Sequence, residues 1–331
     1  MTKPRPFKQV DVFTDTPYLG NPLAVVLDGT GLDTDDMQHF AHWTNLSETT
    51  FLLPPTQQAA AAGADYQVRI FTPAYEMPFA GHPTLGSCHA WLEAGGQPKH
   101  PEFIVQQCPV GLVRIRHNVK PLAFAAPALS RSQPNPDTLA DLVAALGLNT
   151  TQVVAAQHLT NGPRHFGMLL DNVQAIENLS PQPEALRAAM LAAGISGIGV
   201  AAHHAPQTTG ALIKRSNREA RAFGQRAELD EPAQGERLAL DQPHPLTMPP
   251  SMTVRFFFDT GVSVLEDPVT GSFNASLAQW LMADGLAPTH YVATQGSQLG
   301  RCGQVHLTQD ATEQVWIGGA CVTCIDGTVR L

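Results

Sequence analysis

Two stretches of this chain are long enough for a helix, open on similar hexapeptides and carry almost no charge. His82-Pro83-Thr84-Leu85-Gly86-Ser87 begins one that runs to Gly95 with Glu93 as its single formal charge. Asp267-Pro268-Val269-Thr270-Gly271-Ser272 begins another that runs to Gly285, with no formal charge between Pro268 and Ala283. A helix without a polar face has no side to present to water, so each must be enclosed by other elements. Proline in the first turn and glycine just past the end fit the expected helix boundaries. The hexapeptides lie 185 residues apart, and an arginine-aromatic strand precedes each: Arg69-Ile70-Phe71 and Arg255-Phe256-Phe257. A repeat longer than half of the 331 residues is far too long for a solenoid and points to two similar halves, each built around its own helix.

The rest reads mainly as strand. Period-two runs bounded by Gly, Pro and Asn occur at 9–13, 66–71, 111–116, 165–170, 253–258 and 304–307. The fold class that follows is α+β: two pseudo-symmetric halves, each a mostly antiparallel sheet or barrel wrapped around a buried central helix. The first half spans 1–128 with its central helix at 83–94. The second spans 129–331 with its central helix at 268–284 and a last strand able to return to the first half. Outer amphipathic helices are expected from Asp33 to about Trp43, at 136–146 and at 183–193, each with a start or stop signal. Between 205 and 251 periodicity gives way to charges and prolines, which reads as a mobile surface excursion.

A formal net charge of -9 without a Lys/Arg stripe gives no footing for a phosphate backbone, so no nucleic-acid role is expected. The first residues lack an apolar leader, and no run reaches the roughly 20 apolar residues of a membrane span, so a cytoplasmic protein is expected. Five scattered cysteines fit reduced thiols. Cys321-x-x-Cys324, His39-x-x-His42 and His203-His204 have metal-like spacing but no companion ligands, and read as structural. No Gly-rich nucleotide loop and no nucleophile elbow is present, so neither a nucleotide cofactor nor a serine hydrolase is indicated, and no cofactor or metal is expected.

Three polar side chains could carry chemistry. His82 and Asp267 stand where the two buried helices begin, and unpaired N–H groups with the helix dipole favour an anion there. Such a place biases His82 towards its neutral form; simple helix capping is the alternative for both residues. Glu48 follows the first helix and precedes the strand signal Thr49-Thr50-Phe51-Leu52-Leu53, at a corner with apolar flanks where burial would lift a carboxyl towards neutrality. Read from composition and spacing alone, a surface or salt-bridged glutamate remains open.

Several strings taken together resemble the phenazine-biosynthesis (PhzF-like) family: Val10-Asp11-Val12-Phe13 with Gly20-Asn21-Pro22-Leu23-Ala24-Val25-Val26, then Asn45-Leu46-Ser47-Glu48-Thr49-Thr50-Phe51. Arg69-Ile70-Phe71-Thr72-Pro73, Phe79-Ala80-Gly81-His82-Pro83-Thr84-Leu85-Gly86 and Glu266-Asp267-Pro268-Val269-Thr270-Gly271-Ser272 complete the set. The resemblance implies a diaminopimelate-epimerase-like fold with the site in the cleft between the halves, a homodimer, no cofactor, and isomerase activity on a small, cyclic, carboxylate-bearing metabolite. It implies that Glu48 moves the proton as general acid and base and that His82 and Asp267 bind and orient the substrate. Gly81, Gly271, Ser272 and Asn21 are then the substrate-binding positions. Phe273, after Gly271-Ser272, is bulkier than the family's usual residue, and Phe256-Phe257-Phe258-Asp259-Thr260-Gly261 replaces a shorter turn.

Two other readings compete. Amino-acid epimerases on this fold use one cysteine from each half, but 79–87 and 266–274 contain none and Cys88 lies inside the first helix. A non-catalytic protein that keeps the cleft for a metabolite is the other.

Overall fold

A computed structural model describes residues 2–204 and 249–331. Nearly all of the excursion expected at 205–251 lies outside the described residues. The first half contains β1 (Pro4–Val12), β2 (Asn21–Val26), α1 (Thr34–Thr44), β3 (Thr49–Leu53), α2 (Gln57–Ala61), β4 (Tyr66–Phe71), β5 (Glu76–Met77), α3 (Gly81–Glu93), β6 (Phe103–Cys108), β7 (Gly111–Arg116) and β8 (Leu122–Ala125). The second contains β9 (Ser130–Ser132), α4 (Pro136–Ala145), β10 (Val153–Thr160), β11 (Arg164–Leu170), α5 (Val173–Glu177), α6 (Pro183–Ala193), β12 (Gly197–His203) and β13 (Met252–Asp259). It continues with β14 (Val264–Glu266), α7 (Gly271–Ala283), β15 (His290–Gln295), β16 (Gly303–Gln309), β17 (Val315–Gly319) and β18 (Cys321–Arg330).

Strand pairing repeats itself between the halves. From β1 the order is β1-β2-β3-β4-β6-β7-β8, with β2–β3 and β4–β6 parallel and the rest antiparallel. From β10 it is β10-β11-β12-β13-β15-β16-β17, with β11–β12 and β13–β15 parallel and the rest antiparallel. The two series join where β8 pairs antiparallel with β17, and β18 returns to pair with β1.

Each series wraps one central helix. In α3 every residue from Gly81 to Cys88 is buried, and in α7 every residue from Gly271 to Ala278. The helices meet each other and share one core with the strands around them. Removing their apolar side chains from water supplies a driving force of about 25 cal/mol per Å². The outer helices behave differently: α1 buries only Met37, Phe40 and Ala41, and its start is capped by Asp33, which accepts from the Asp36 N–H at 2.8 Å. α4 and α6 cover a second core on the outer face of β11 and β12.

The central helices begin elsewhere than expected, at Gly81 rather than Pro83 and at Gly271 rather than Pro268. Ala80 O already accepts from Thr84 N, which draws Gly81 and His82 into the first turn. In the second half, Val269 O accepts from Asn21 and Thr270 N donates to Gln295, so these residues are held by distant partners before the helix starts. The hexapeptide match at an offset of 185 is therefore not the structural repeat.

The repeat runs at an offset of 190, aligning Glu76-Met77-Pro78-Phe79-Ala80-Gly81 with Glu266-Asp267-Pro268-Val269-Thr270-Gly271. Both glutamates bind the arginine of the preceding strand through two contacts, Arg69–Glu76 at 2.7 and 2.6 Å and Arg255–Glu266 at 2.9 and 2.8 Å. Each guanidinium also lies over the aromatic two residues on, at 5.0 Å from the Phe71 centroid and 5.1 Å from that of Phe257.

Candidate active site

The starts of α3 and α7 touch through their glycines. A Cβ on Gly81 would lie 2.8 Å from the Gly271 backbone and 2.9 Å from Ser272 N, and one on Gly271 would lie 3.0 Å from Gly81 Cα. No other residue permits that approach without pushing the halves apart. Neither N-cap residue, Ala80 or Thr270, makes a side-chain capping bond. Two sets of helix N–H groups therefore converge at one place, the arrangement that attracts an anion.

Glu48 reaches this place from the corner between α1 and β3. Asn45 ends α1 in the left-handed region at φ 55°, and Thr44 Oγ1 meets Thr49 Oγ1 at 2.8 Å across the turn. The Glu48 side chain is 13% exposed, and its Oε2 lies 3.3 Å from His82 Nε2. Neither of these two buried atoms has an aligned hydrogen-bond partner.

Asn21, at the start of β2, ties the halves together. Its Nδ2 donates to Asp267 Oδ1 at 3.0 Å and to Val269 O at 2.9 Å, and stands 3.3 Å from His82 Nδ1. Thr270 Oγ1 donates to the other oxygen of Asp267 at 2.6 Å. Gln295 braces the same segment by donating to Asp267 O and Thr270 Oγ1 and accepting from Thr270 N.

Burial dominates the ionisation of the cluster. It lifts Glu48 to about 8, with the charge of Asp267 adding to the effect, and pushes His82 down to about 3. It lifts Asp267 to about 6, against the hydrogen bonds from Thr270 and Asn21 that favour its charged form. At neutral pH Glu48 is mostly protonated, His82 is neutral and Asp267 is mostly ionised, so carboxyls of opposite protonation state share one buried cluster.

All seven expected positions therefore fall in one region: Glu48, His82, Gly81 and Asn21 from the first half, and Asp267, Gly271 and Ser272 from the second. Asn161 lies beside them, donating to Ser272 O at 2.9 Å with its Oδ1 buried and unpartnered. Sequence reading missed Thr270 and Gln295. Thr270 stood inside a quoted motif, but nothing marked Gln295 beyond an uncharged polar residue at the end of a strand. Phe273 fits because glycines face it: a Cβ on Gly199 would sit 2.2 Å from its ring.

The metal-like spacings are engaged otherwise. His203 Nε2 meets Leu286 O, His204 Nε2 meets Thr253 Oγ1, and Cys321 and Cys324 lie on β18 with their thiols near backbone carbonyls. Cys88 is fully buried within α3, and burial pushes its thiol well above the usual range. That disposition removes it as one of two opposed thiols.

Known proteins bear on the same geometry. The phenazine biosynthesis-like protein family profile matches residues 10–216 and 233–327. "Antisense-enhancing sequence 1" of Schizosaccharomyces pombe is 30% identical, covering 97% of this chain and 97% of its own. The trans-2,3-dihydro-3-hydroxyanthranilate isomerase of Pseudomonas aeruginosa is 37% identical over 183 residues, which are 54% of this chain and 61% of that one. A PhzF-family phenazine biosynthesis protein from Bacillus anthracis superimposes with a TM-score of 0.74 at 20% identity, covering 99% of this chain and all of the other. Shared architecture, matched profile and isomerase relatives lead to one conclusion: the chain is an isomerase belonging to the phenazine biosynthesis-like protein family.

Proposed function

We propose that the enzyme moves a proton within a small, cyclic, carboxylate-bearing substrate, using Glu48 as both general base and general acid and needing no cofactor. The observation that carries this reading is the Glu48–His82 pair: two buried, unpartnered polar atoms 3.3 Å apart, beside two uncapped helix starts. The substrate carboxylate is held by N–H groups around Gly81, Gly271 and Ser272. Asp267, kept in place by Asn21 and Thr270, accepts a hydrogen bond from a hydroxyl or amino group on the ring.

Glu48 as carboxylate removes a proton from one ring carbon, and the electron pair of that C–H bond enters the adjoining unsaturated system. The carboxyl so formed, its acidic proton open to exchange with solvent, delivers a proton to another carbon, so the product is an isomer and Glu48 regains its starting state. A pKa of about 8 leaves both forms accessible near neutral pH. Neutral His82 stands beside Glu48 with its Nε2 unpartnered and open to a polar group of the substrate. The homodimer implied by the family resemblance and a cytoplasmic setting belong to the same proposal.

The test is incubation in D2O with trans-2,3-dihydro-3-hydroxyanthranilate, the compound in the relative's name. The wild type should give an isomer carrying carbon-bound deuterium, and Glu48→Gln should lower the rate by about 10²–10⁴-fold without loss of fold. Undiminished incorporation by the Gln variant would remove Glu48 from the mechanism.

A further inference from the structure

The β4–β5 loop, Thr72-Pro73-Ala74-Tyr75, borders the Glu48 corner. The last rung between β3 and β4 pairs Thr49 with Phe71, so Glu48 and Thr72 are the next residues on each side. The loop is held internally, with Thr72 N donating to Tyr75 O at 2.9 Å, and with Ala74 N and Tyr75 N donating to Thr72 Oγ1 at 3.1 and 3.0 Å. It is also tied to α1, the helix that leads to Glu48. Gln38 Nε2 donates to Thr72 O at 2.8 Å, and His42 Nδ1 meets Pro73 O at 3.0 Å.

On this braced loop Tyr75 is 57% exposed. An aromatic ring on a hydrogen-bonded support is a favoured contact for a ligand, because little side-chain freedom is lost on binding. Partial burial and then the charges of Glu48 and Asp259 hold its phenol above the ordinary range. Through Thr72, next to the Thr49–Phe71 rung, Tyr75 stands beside the corner that carries Glu48. The second half has the same loop: Thr260 N donates to Ser263 O at 2.9 Å and Ser263 N to Thr260 Oγ1 at 3.0 Å, with Ser263 where the first half has Tyr75.

We infer that Tyr75 is a specificity-determining residue whose ring lies against the ring of the bound carboxylate at the mouth of the cleft and favours flat cyclic substrates over open-chain ones. The inference rests on the cleft being the carboxylate site proposed above, and adds a contact made by one half only.

The test compares binding of anthranilate, a flat cyclic carboxylate, and acetate, which has no ring, by ligand-detected NMR titration with the two probes in competition. Tyr75→Ala should weaken anthranilate about tenfold and leave acetate unchanged, while Tyr75→Phe keeps the wild-type ratio. An unchanged ratio in the Ala variant, or a loss in the Phe variant equal to that in Ala, overturns the ring contact while the cleft reading stands. Failure of the wild type to bind either probe overturns the inference and the cleft reading together.

Discussion

The two halves share a strand-pairing pattern, a buried helix and an arginine–glutamate–phenylalanine cluster, yet they differ at the cleft. Phe71 pairs with Thr49 and its counterpart Phe257 pairs with Ile198, so Glu48 corresponds to Gly197. The space an acid would need at 197 is taken: a Cβ there would lie 2.2 Å from the Phe256 ring, which packs on His165 and Phe273. At the offset of 190, His82 corresponds to Ser272 and Met77 to Asp267. The first half supplies the acid and its histidine, and the second supplies the ionised carboxylate. The scaffold is repeated, but in the proposed mechanism one half alone supplies a proton carrier, where a symmetric racemase would have two.

The widest stability difference between the halves should come from their arginines. Arg255 is 6% exposed and donates also to Ile176 O and Leu179 O, whereas Arg69 lies nearer solvent. Arg255→Ala should cost about 3 kcal/mol by leaving Glu266, whose side chain is 10% exposed, unpaired. Arg69→Ala should cost about 1 kcal/mol, because this half-buried pair stays in reach of water. Chemical denaturation of both variants measures the gap, and equal losses would break the asymmetry.

Gly81→Ala should cost about 1–3 kcal/mol, since its Cβ meets backbone that cannot give way, and should cut turnover by separating the helix starts. Gly197→Ala should cost about as much through the Phe256 ring but leave kcat near the wild-type value, because the proposed mechanism uses no group at that corner. Thermal unfolding with steady-state kinetics on both variants checks the pair, and a loss of kcat at 197 matching that at 81 would count against a single active corner.

Much of this was legible before folding. The nearly charge-free runs from His82 to Gly95 and from Pro268 to Ala283, the arginine-aromatic strands and the Glu48 corner all follow from period and composition. The true repeat was harder, because Glu-x-Pro-x-x-Gly and the misleading hexapeptide each share three of six letters between the halves, so identity alone does not tell them apart. Helix starts were misplaced for a related reason: the bonds that hold Val269 and Thr270 out of the helix come from Asn21 and Gln295, far away in sequence. The pairing of Glu48 with His82 and the filling of the opposite corner by Phe256 are properties of contact, which no local pattern carries.

A raised carboxyl pKa also leaves a mark on stability. Glu48 unfolded ionises near 4.5, but folded it stays protonated until about 8, so its contribution is complete below pH 4.5 and is lost as the pH climbs to 8. Within that window the wild type should lose about 1.4 kcal/mol per pH unit relative to Glu48→Gln, and Tm measured from pH 5 to 9 reports it.

The most direct measurement is the infrared difference spectrum between wild type and Glu48→Gln as a function of pH. The account predicts a protonated carboxyl band that is present at pH 7 in the wild type, missing from the variant, and titrated away near 8. A carboxyl already ionised at pH 7, with its midpoint near the ordinary 4.5, would contradict a desolvated acid facing His82 across the cleft.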